Sequence, residues 1–277
     1  MTLLRYKISF SVCLLVASIL LGACKTPTSQ ANLNPTFVPV TTLIFELQNT
    51  NGHEQIQVIN RLGQHGPAAS PAIPALLDVL VDPATSNDTQ QAILRAFGMI
   101  GSPAQSAAGD IERILLTTDS EDTAISAVQS LQQIGSTSSG DNIALVIRTT
   151  DSYGVRSAST RALIDLGLAS AYVADLLFVL ETNNEEAIRK LAIDGIASTG
   201  SGGKCAVPQL MLVVIDEHNS TNLRQTAASA VSVITQQDFG TIAVQPREVE
   251  PEVIANAADW WNTRGQFENW PLVCVNE

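Results

Sequence analysis

The chain has 277 residues, of which 45% are hydrophobic but only 5% aromatic, and its formal net charge at pH 7 is -12. A core built mainly from Ala, Val, Ile and Leu suits closely packed helices better than a sandwich of β-sheets. The acidic balance argues against binding to the phosphate backbone of nucleic acids, which requires clustered Lys and Arg, and against electrostatic docking on anionic lipid.

The first predicted element is an export signal over residues 1–23. Arg5 and Lys7 precede an apolar run that is too short for a permanent membrane span. The run closes in L-G-A-C, which resembles the lipobox of bacterial lipoproteins and implies that Cys24 is lipidated and anchors the protein to a membrane. Lys25 follows the cysteine; by resemblance to enterobacterial sorting it favours the outer membrane, with the protein facing the periplasm or the cell exterior. The alternative is an ordinary signal peptide cut nearby.

Residues 24–40 are polar and contain prolines without a helical period, which predicts a flexible tether. Residues 41–240 then repeat a two-helix pattern, and each copy closes on one residue. The closing residues are Gly63, Gly101, Gly135, Gly167, Gly200 and Thr235, at intervals of 38, 34, 32, 33 and 35 residues. Periods of this length are typical of solenoids built from helical pairs, and a closing glycine permits the left-handed backbone that stops a helix.

Apolar residues at helical spacing predict six helical pairs in this array. The predicted pairs are 43–47 with 54–62, 70–80 with 89–100, 107–116 with 123–134, 142–147 with 153–166, 169–180 with 185–198, and 206–215 with 222–234. The fourth residue before each closing residue is apolar in every copy, and the eighth is small in the later copies. We therefore expect these positions to form the core between neighbouring second helices.

Three segments, V-R-S-A-S-T-R-A-L-I-D-L-G (155–167), I-R-K-L-A-I-D-G-I-A-S-T-G (188–200) and L-R-Q-T-A-A-S-A-V-S-V-I-T (223–235), resemble the second helix of HEAT-like repeats of the PBS-lyase type. The resemblance implies an all-α, right-handed solenoid of about six helical pairs. It also implies that Arg156, Arg189 and Arg224, at one equivalent position, are structural and bind acidic or carbonyl groups at the preceding turn, such as Asp151 and Asp216.

A row of polar side chains of both signs is predicted along the second helices, on the side that is concave in similar solenoids. Such a row suits recognition of a protein and is poor for nucleic acid; a merely solvated face is the alternative. We call this row the ridge, and its candidate binding residues are Arg61, Arg95, Gln129, Gln133, Arg161, Asp165 and Asp194.

The tail, residues 241–277, carries all three tryptophans and predicts a helix that caps the array. An aromatic patch for a peptide or glycan is the secondary interpretation. Two cysteines, Cys205 and Cys274, remain after the signal and the lipidation site. In an exported protein they can form a disulfide, and we favour a bridge that fastens the tail over two separate buried thiols.

Known catalytic and phosphate-binding motifs are not recognisable in the sequence, and the three histidines lie in separate repeats. We therefore predict no catalytic, cofactor or metal site and no enzymatic activity. The favoured function is a lipid-anchored envelope scaffold that binds a protein partner. The alternatives are a lyase-like enzyme or chaperone of the phycobilin-lyase type and a purely structural envelope component.

Overall fold

The computed structural model describes residues 38–240, 251–271 and 274, all within the compact unit Val38–Glu277. The predicted signal, Cys24 and most of the predicted tether lie outside the described residues. Within the described part, thirteen α-helices follow one another without a β-strand. They are α1 Val40–Asn49, α2 Gly52–Gln64, α3 Ile73–Leu80, α4 Asn87–Ile100, α5 Ala108–Thr117, α6 Glu121–Ile134, α7 Gly140–Thr149, α8 Tyr153–Asp165, α9 Val173–Thr182, α10 Glu186–Ser198, α11 Val207–Ile215, α12 Thr221–Thr235 and α13 Pro251–Thr263.

The even-numbered helices form one continuous layer, because each packs against the next from α2 to α12. Each odd-numbered helix from α1 to α11 packs against the even-numbered helix that follows it, and α13 packs against α11 and α12. The structure therefore confirms the predicted all-α solenoid of helical pairs, with six pairs and a further C-terminal helix in the described part of the chain.

The predicted core positions are buried. The fourth residues before the closing residues are fully enclosed, and the small residues at the eighth position are also enclosed in the later repeats. The former are Ile59, Phe97, Leu131, Leu163, Ile196 and Val231, and the latter are Ala127, Ser159, Ala192 and Ala227. Small side chains at the eighth position let neighbouring second helices approach closely, because less volume separates the two backbones.

Four serines begin the second helices in the same way. In each case the hydroxyl oxygen accepts a hydrogen bond from the backbone N–H three residues later, which satisfies a donor that the first helical turn leaves unpaired. These serines are Ser86, Ser120, Ser152 and Ser220. Each lies fifteen residues before its closing residue, so the start of the helix repeats as regularly as its end.

One closing residue is predicted wrongly. Gly63 lies inside α2, and the left-handed stop is Gly66, whose φ is +56°. A Cβ on Gly63 would lie 2.6 Å from Cε of Met99 and 3.1 Å from Cα of Ala96, so this glycine permits the approach of α4. Counting from Gly66 shortens the first interval from 38 to 35 residues, close to the later ones.

The stop at the other end of the array also differs in detail. Thr235 is the last residue of α12, and the left-handed residue is Gln236 with φ +60°. Gly101, Gly135, Gly167 and Gly200 all have positive φ, which confirms their predicted role as helix stops.

Candidate protein-binding surface

The ridge is exposed along the middle of the array. Arg95, Gln129, Gln133 and Arg161 project from α4, α6 and α8, and none of these four side chains has a hydrogen bond or ion pair within the described part of the chain. Asp194 continues the row on α10 and is also exposed. A ligand could therefore pair with these groups without first breaking an internal bond.

The residues two positions before the stops lean back onto the preceding helix. A Cβ on Gly98 would lie 1.9 Å from Oε1 of Gln133, so the glutamine side chain covers the α4 backbone there. In the next repeat, Gln132 donates from Nε2 to Oδ2 of Asp165 across 2.6 Å. Asp165 is thus on the ridge but already has a partner, which makes it a weaker candidate than its neighbours.

The surroundings of Asp194 change the pKa of its carboxyl group. Partial removal from water raises the pKa of Asp194, and the nearby ammonium of Lys190 opposes that change. The ionised form of Asp194 is therefore less stable than a fully hydrated carboxylate, and a cationic group of a partner would stabilise it.

Arg61 does not belong to the ridge as the structure defines it. Because Gly66 rather than Gly63 stops α2, Arg61 is three residues out of register with the later repeats. Its guanidinium also forms an ion pair with Glu46 of α1, and the side chain is partly buried against that first helix. We leave Arg61 out of the proposed binding surface for both reasons.

The three equivalent arginines bind backbone carbonyls at the end of the preceding helix. Nε of Arg156 donates to the oxygen of Ile147 at 3.1 Å, and its Nη2 donates to the oxygen of Thr150. Nε of Arg189 donates to Leu180 at 3.1 Å, and Nε of Arg224 donates to Val214 at 2.8 Å. The predicted bonds to carbonyl groups are therefore present in all three copies.

The side-chain partners of these arginines differ from the predicted ones. Nη1 of Arg156 donates to Oδ1 of Asn183 at 3.1 Å, and Nη1 of Arg189 donates to Oδ1 of Asn219 at 2.8 Å. Each asparagine belongs to the turn of the following repeat, so the arginines tie consecutive repeats together. Asp216 instead accepts hydrogen bonds from the backbone and ring of His218, which lower its pKa.

Two adjacent cavities lie along the same edge of the array, where earlier repeats lack this arginine. Ala124 stands at the arginine position of the third repeat and lines a cavity of about 540 Å³ between the 117–120 and 149–152 turns. Gln90 stands there in the second repeat and lines a polar cavity of about 420 Å³. Both cavities share the residues 118–120, so they form one groove across three turns.

The tail is fastened to the last repeat. Cys205 and Cys274 form a disulfide with their Cα atoms 5.2 Å apart. Trp260 is buried, with Phe239 and Trp270 rings at centroid distances of 5.5 and 6.3 Å. Buried Trp260 and Phe239 cover the end of the solenoid, as expected of a cap.

Sequence reasoning missed the polar links between first helices. Buried Asp175 of α9 accepts a hydrogen bond from Arg148 of α7, and Glu112 of α5 accepts from Ser139 and Asn142 at 2.5 and 2.6 Å. A signal for the groove was present in the sequence, since T-T-D-S occurs at both 117–120 and 149–152 but is followed by an arginine only in the second copy.

No group of three or more His, Cys, Asp or Glu side chains among the described residues could hold a metal ion. Likewise, no helix in that part of the chain has the length and apolar character needed to cross a membrane.

The fold resembles solved helical structures at low sequence identity. Two engineered proteins solved by the Northeast Structural Genomics Consortium each align with a TM-score of 0.52. The first is 18% identical, and the alignment covers 72% of this chain and 98% of that protein. The second is 17% identical, and the alignment covers 73% of this chain and 100% of that protein. The complex of CpcE and CpcF of phycocyanin lyase from Nostoc sp. PCC7120 aligns with a TM-score of 0.39 and 16% identity over 79% of this chain and 81% of that one. No protein-family profile and no curated protein sequence matches the chain. The likeness to the engineered proteins shows the fold alone.

Proposed function

We propose that the protein is a lipid-anchored scaffold of the bacterial cell envelope that binds a protein partner through the ridge. The observation that carries this proposal is the row of exposed polar side chains of both signs on consecutive second helices, four of which have no internal bond in the described structure. Regular spacing of such groups over several repeats suits an extended partner, because each repeat offers one more contact of the same geometry.

The anchor is proposed from the sequence alone. L-G-A-C closes an apolar run at the distance expected of a lipobox, and a polar tether separates Cys24 from the first described helix. A lipid on this cysteine would hold the solenoid near a membrane surface, where a scaffold has its partners at high effective concentration. With Lys25 after the cysteine, we place the protein in the outer membrane.

Affinity capture from envelope extracts tests the ridge. We expect Arg95→Ala together with Arg161→Ala to reduce the captured partner at least ten-fold. Arg113→Ala is the control for losing an exposed arginine, because this residue lies on the first helix α5 and not on the second helices that carry the ridge. A partner that is captured equally by all variants would remove the ridge from the proposal, and the absence of any specific partner would leave a purely structural component.

Metabolic labelling with palmitate tests the anchor. The natural chain should take up label and sediment with membranes, and Cys24→Ser should lose both properties. Labelling that persists in Cys24→Ser would refute lipidation at this residue.

A further inference from the structure

The turns at 117–120 and 149–152 have the same sequence and the same internal bonds. The backbone N–H of Thr118 donates to the carbonyl oxygen of Ile114, and that of Thr150 donates to the carbonyl oxygen of Val146, each at 3.0 Å. Ser120 and Ser152 each cap the helix that follows, and each also donates its N–H to the threonine hydroxyl two residues earlier. The two turns are therefore a matched pair within one molecule.

The two turns differ in the side chain that lies against their carbonyl oxygens. In the second turn the guanidinium of Arg156 donates to the carbonyl oxygens of Ile147 and Thr150. In the first turn the equivalent oxygens belong to Leu115 and Thr118, and the equivalent side chain is that of Ala124. No hydrogen bond in the described structure uses the carbonyl oxygen of Leu115 or Thr118, and both residues line the 540 Å³ cavity.

The walls of this cavity suit a long side chain with a cationic end. Leu116 and Leu145 line it and are 45% and 48% exposed, so they offer apolar surface for methylene groups. Asp119 and Glu121 also line it and supply negative charge, and Oε1 of Glu121 reaches to within 2.5 Å of where a Cβ on Gly154 would stand. The carboxylate of Glu121 therefore lies against α8.

We propose that this cavity binds the side chain of an arginine on a basic, extended segment of the partner protein. The inference rests on the proposed scaffold function and specifies the chemistry of its partner. A planar guanidinium can donate to two carbonyl oxygens at once, as Arg156 does one repeat later, whereas an ammonium acts as a single point of charge. The adjoining 420 Å³ cavity, which shares Thr118, Asp119 and Ser120, lets the segment continue along the groove.

The probe is a fluorescent peptide with four Gly-Ser-Arg repeats, compared with the same peptide in which citrulline replaces each arginine. Citrulline keeps the shape of arginine but removes its charge. With the full chain purified in mild detergent, we expect fluorescence anisotropy to show at least ten-fold tighter binding of the arginine peptide, weakening as salt is added. Equal binding of the two peptides would overturn the proposal.

Two sets of variants locate the binding. Ala124→Arg supplies a guanidinium from within the chain, as the next repeat does naturally, and should reduce peptide binding at least ten-fold without lowering the unfolding temperature. Asp119→Asn should weaken binding several-fold, whereas Asp151→Asn should not, since Asp151 is the same residue of the matched turn and does not line the cavity. If Ala124→Arg fails to fold, the two aspartate variants decide: equal effects would overturn the proposal.

The outcome is separable from that of the ridge experiment. Partner capture that depends on Arg95 and Arg161 but is unchanged by Ala124→Arg would keep the scaffold function and remove this inference. Partner capture that does not depend on Arg95 and Arg161, with arginine-specific peptide binding intact, would remove the ridge and keep this inference. Self-association that Ala124→Arg abolishes would identify a second copy of this chain as the ligand and overturn the assignment to a different protein.

Discussion

Replacing Arg156 with alanine tests whether the guanidinium holds two repeats together. The side chain makes three hydrogen bonds: two to carbonyl oxygens of its own repeat and one, at 3.1 Å, to Asn183 of the next. A hydrogen bond to a charged group contributes roughly 1.5–3 kcal/mol to stability. Arg156 is half-buried, so water can reach the freed oxygens, and we expect a total loss of about 2–3 kcal/mol.

Urea denaturation followed by circular dichroism measures this loss, and hydrogen exchange locates it. We expect faster exchange of α8 and α9 amides, because cooperativity in a repeat array is local. Arg161→Ala is the matched control, since this exposed arginine lies on the same helix without an internal bond and should change stability by about 0.5 kcal/mol at most. An Arg156→Ala variant no less stable than Arg161→Ala would refute the structural role.

Three further predictions follow from local features. Gly101→Ala should lower the free energy of unfolding by about 1–2 kcal/mol in chemical denaturation, because φ is +75° there. Gly109→Ala should raise it by about 0.5–1 kcal/mol, because Gly109 lies inside α5 with open space around it. A change of the same sign in both variants would contradict the assignment of Gly101 as a helix stop. The Cys205–Cys274 disulfide joins residues 69 apart in sequence, so its reduction should lower the free energy of unfolding by about 4 kcal/mol and speed hydrogen exchange in α13. Unchanged exchange would show that the disulfide does not hold the tail in place. Burial, followed by a hydrogen bond to a carboxylate, raises the pKa of Tyr172 to about 12. The native state then holds the phenolic proton more tightly than the unfolded state, so this contribution to stability is complete below pH of about 10 and is lost as pH rises to about 12. A phenolate absorbance titration that resolves no such tyrosine, or an equal alkaline loss in Tyr172→Phe, would refute this.

Much of the fold could be predicted because its signals are local. The apolar residues at 97, 131, 163 and 196 recur at fixed distances from glycines, and a left-handed stop favours glycine whatever its tertiary surroundings. The error at Gly63 has the opposite cause. A glycine that lets another helix approach and a glycine that ends its own helix look the same in sequence, and only the position of Met99 and Ala96 distinguishes them.

The candidate site was predictable in part for the same reason. Equivalent positions on a repeated helix share a face, so the sequence located Arg95, Gln129 and Arg161 on one exposed row. It could not show that Asp165 bonds to Gln132, or that Arg61 turns towards Glu46, because those contacts depend on how neighbouring helices are offset.

The sequence by itself determined the helical-pair repeat, the four stops at Gly101, Gly135, Gly167 and Gly200, and the small-residue core, because each follows from backbone conformation and side-chain volume along one helix. Only the tertiary structure decided what the arginine position does. It showed that Arg156 bridges two turns, and that beside Ala124, thirty-two residues earlier, the equivalent carbonyl oxygens have no hydrogen bond within the described part of the chain and their residues line a cavity that Asp119 and Glu121 also line. That difference depends on the packing of adjacent repeats, so it cannot be predicted from the periodicity of a single helix.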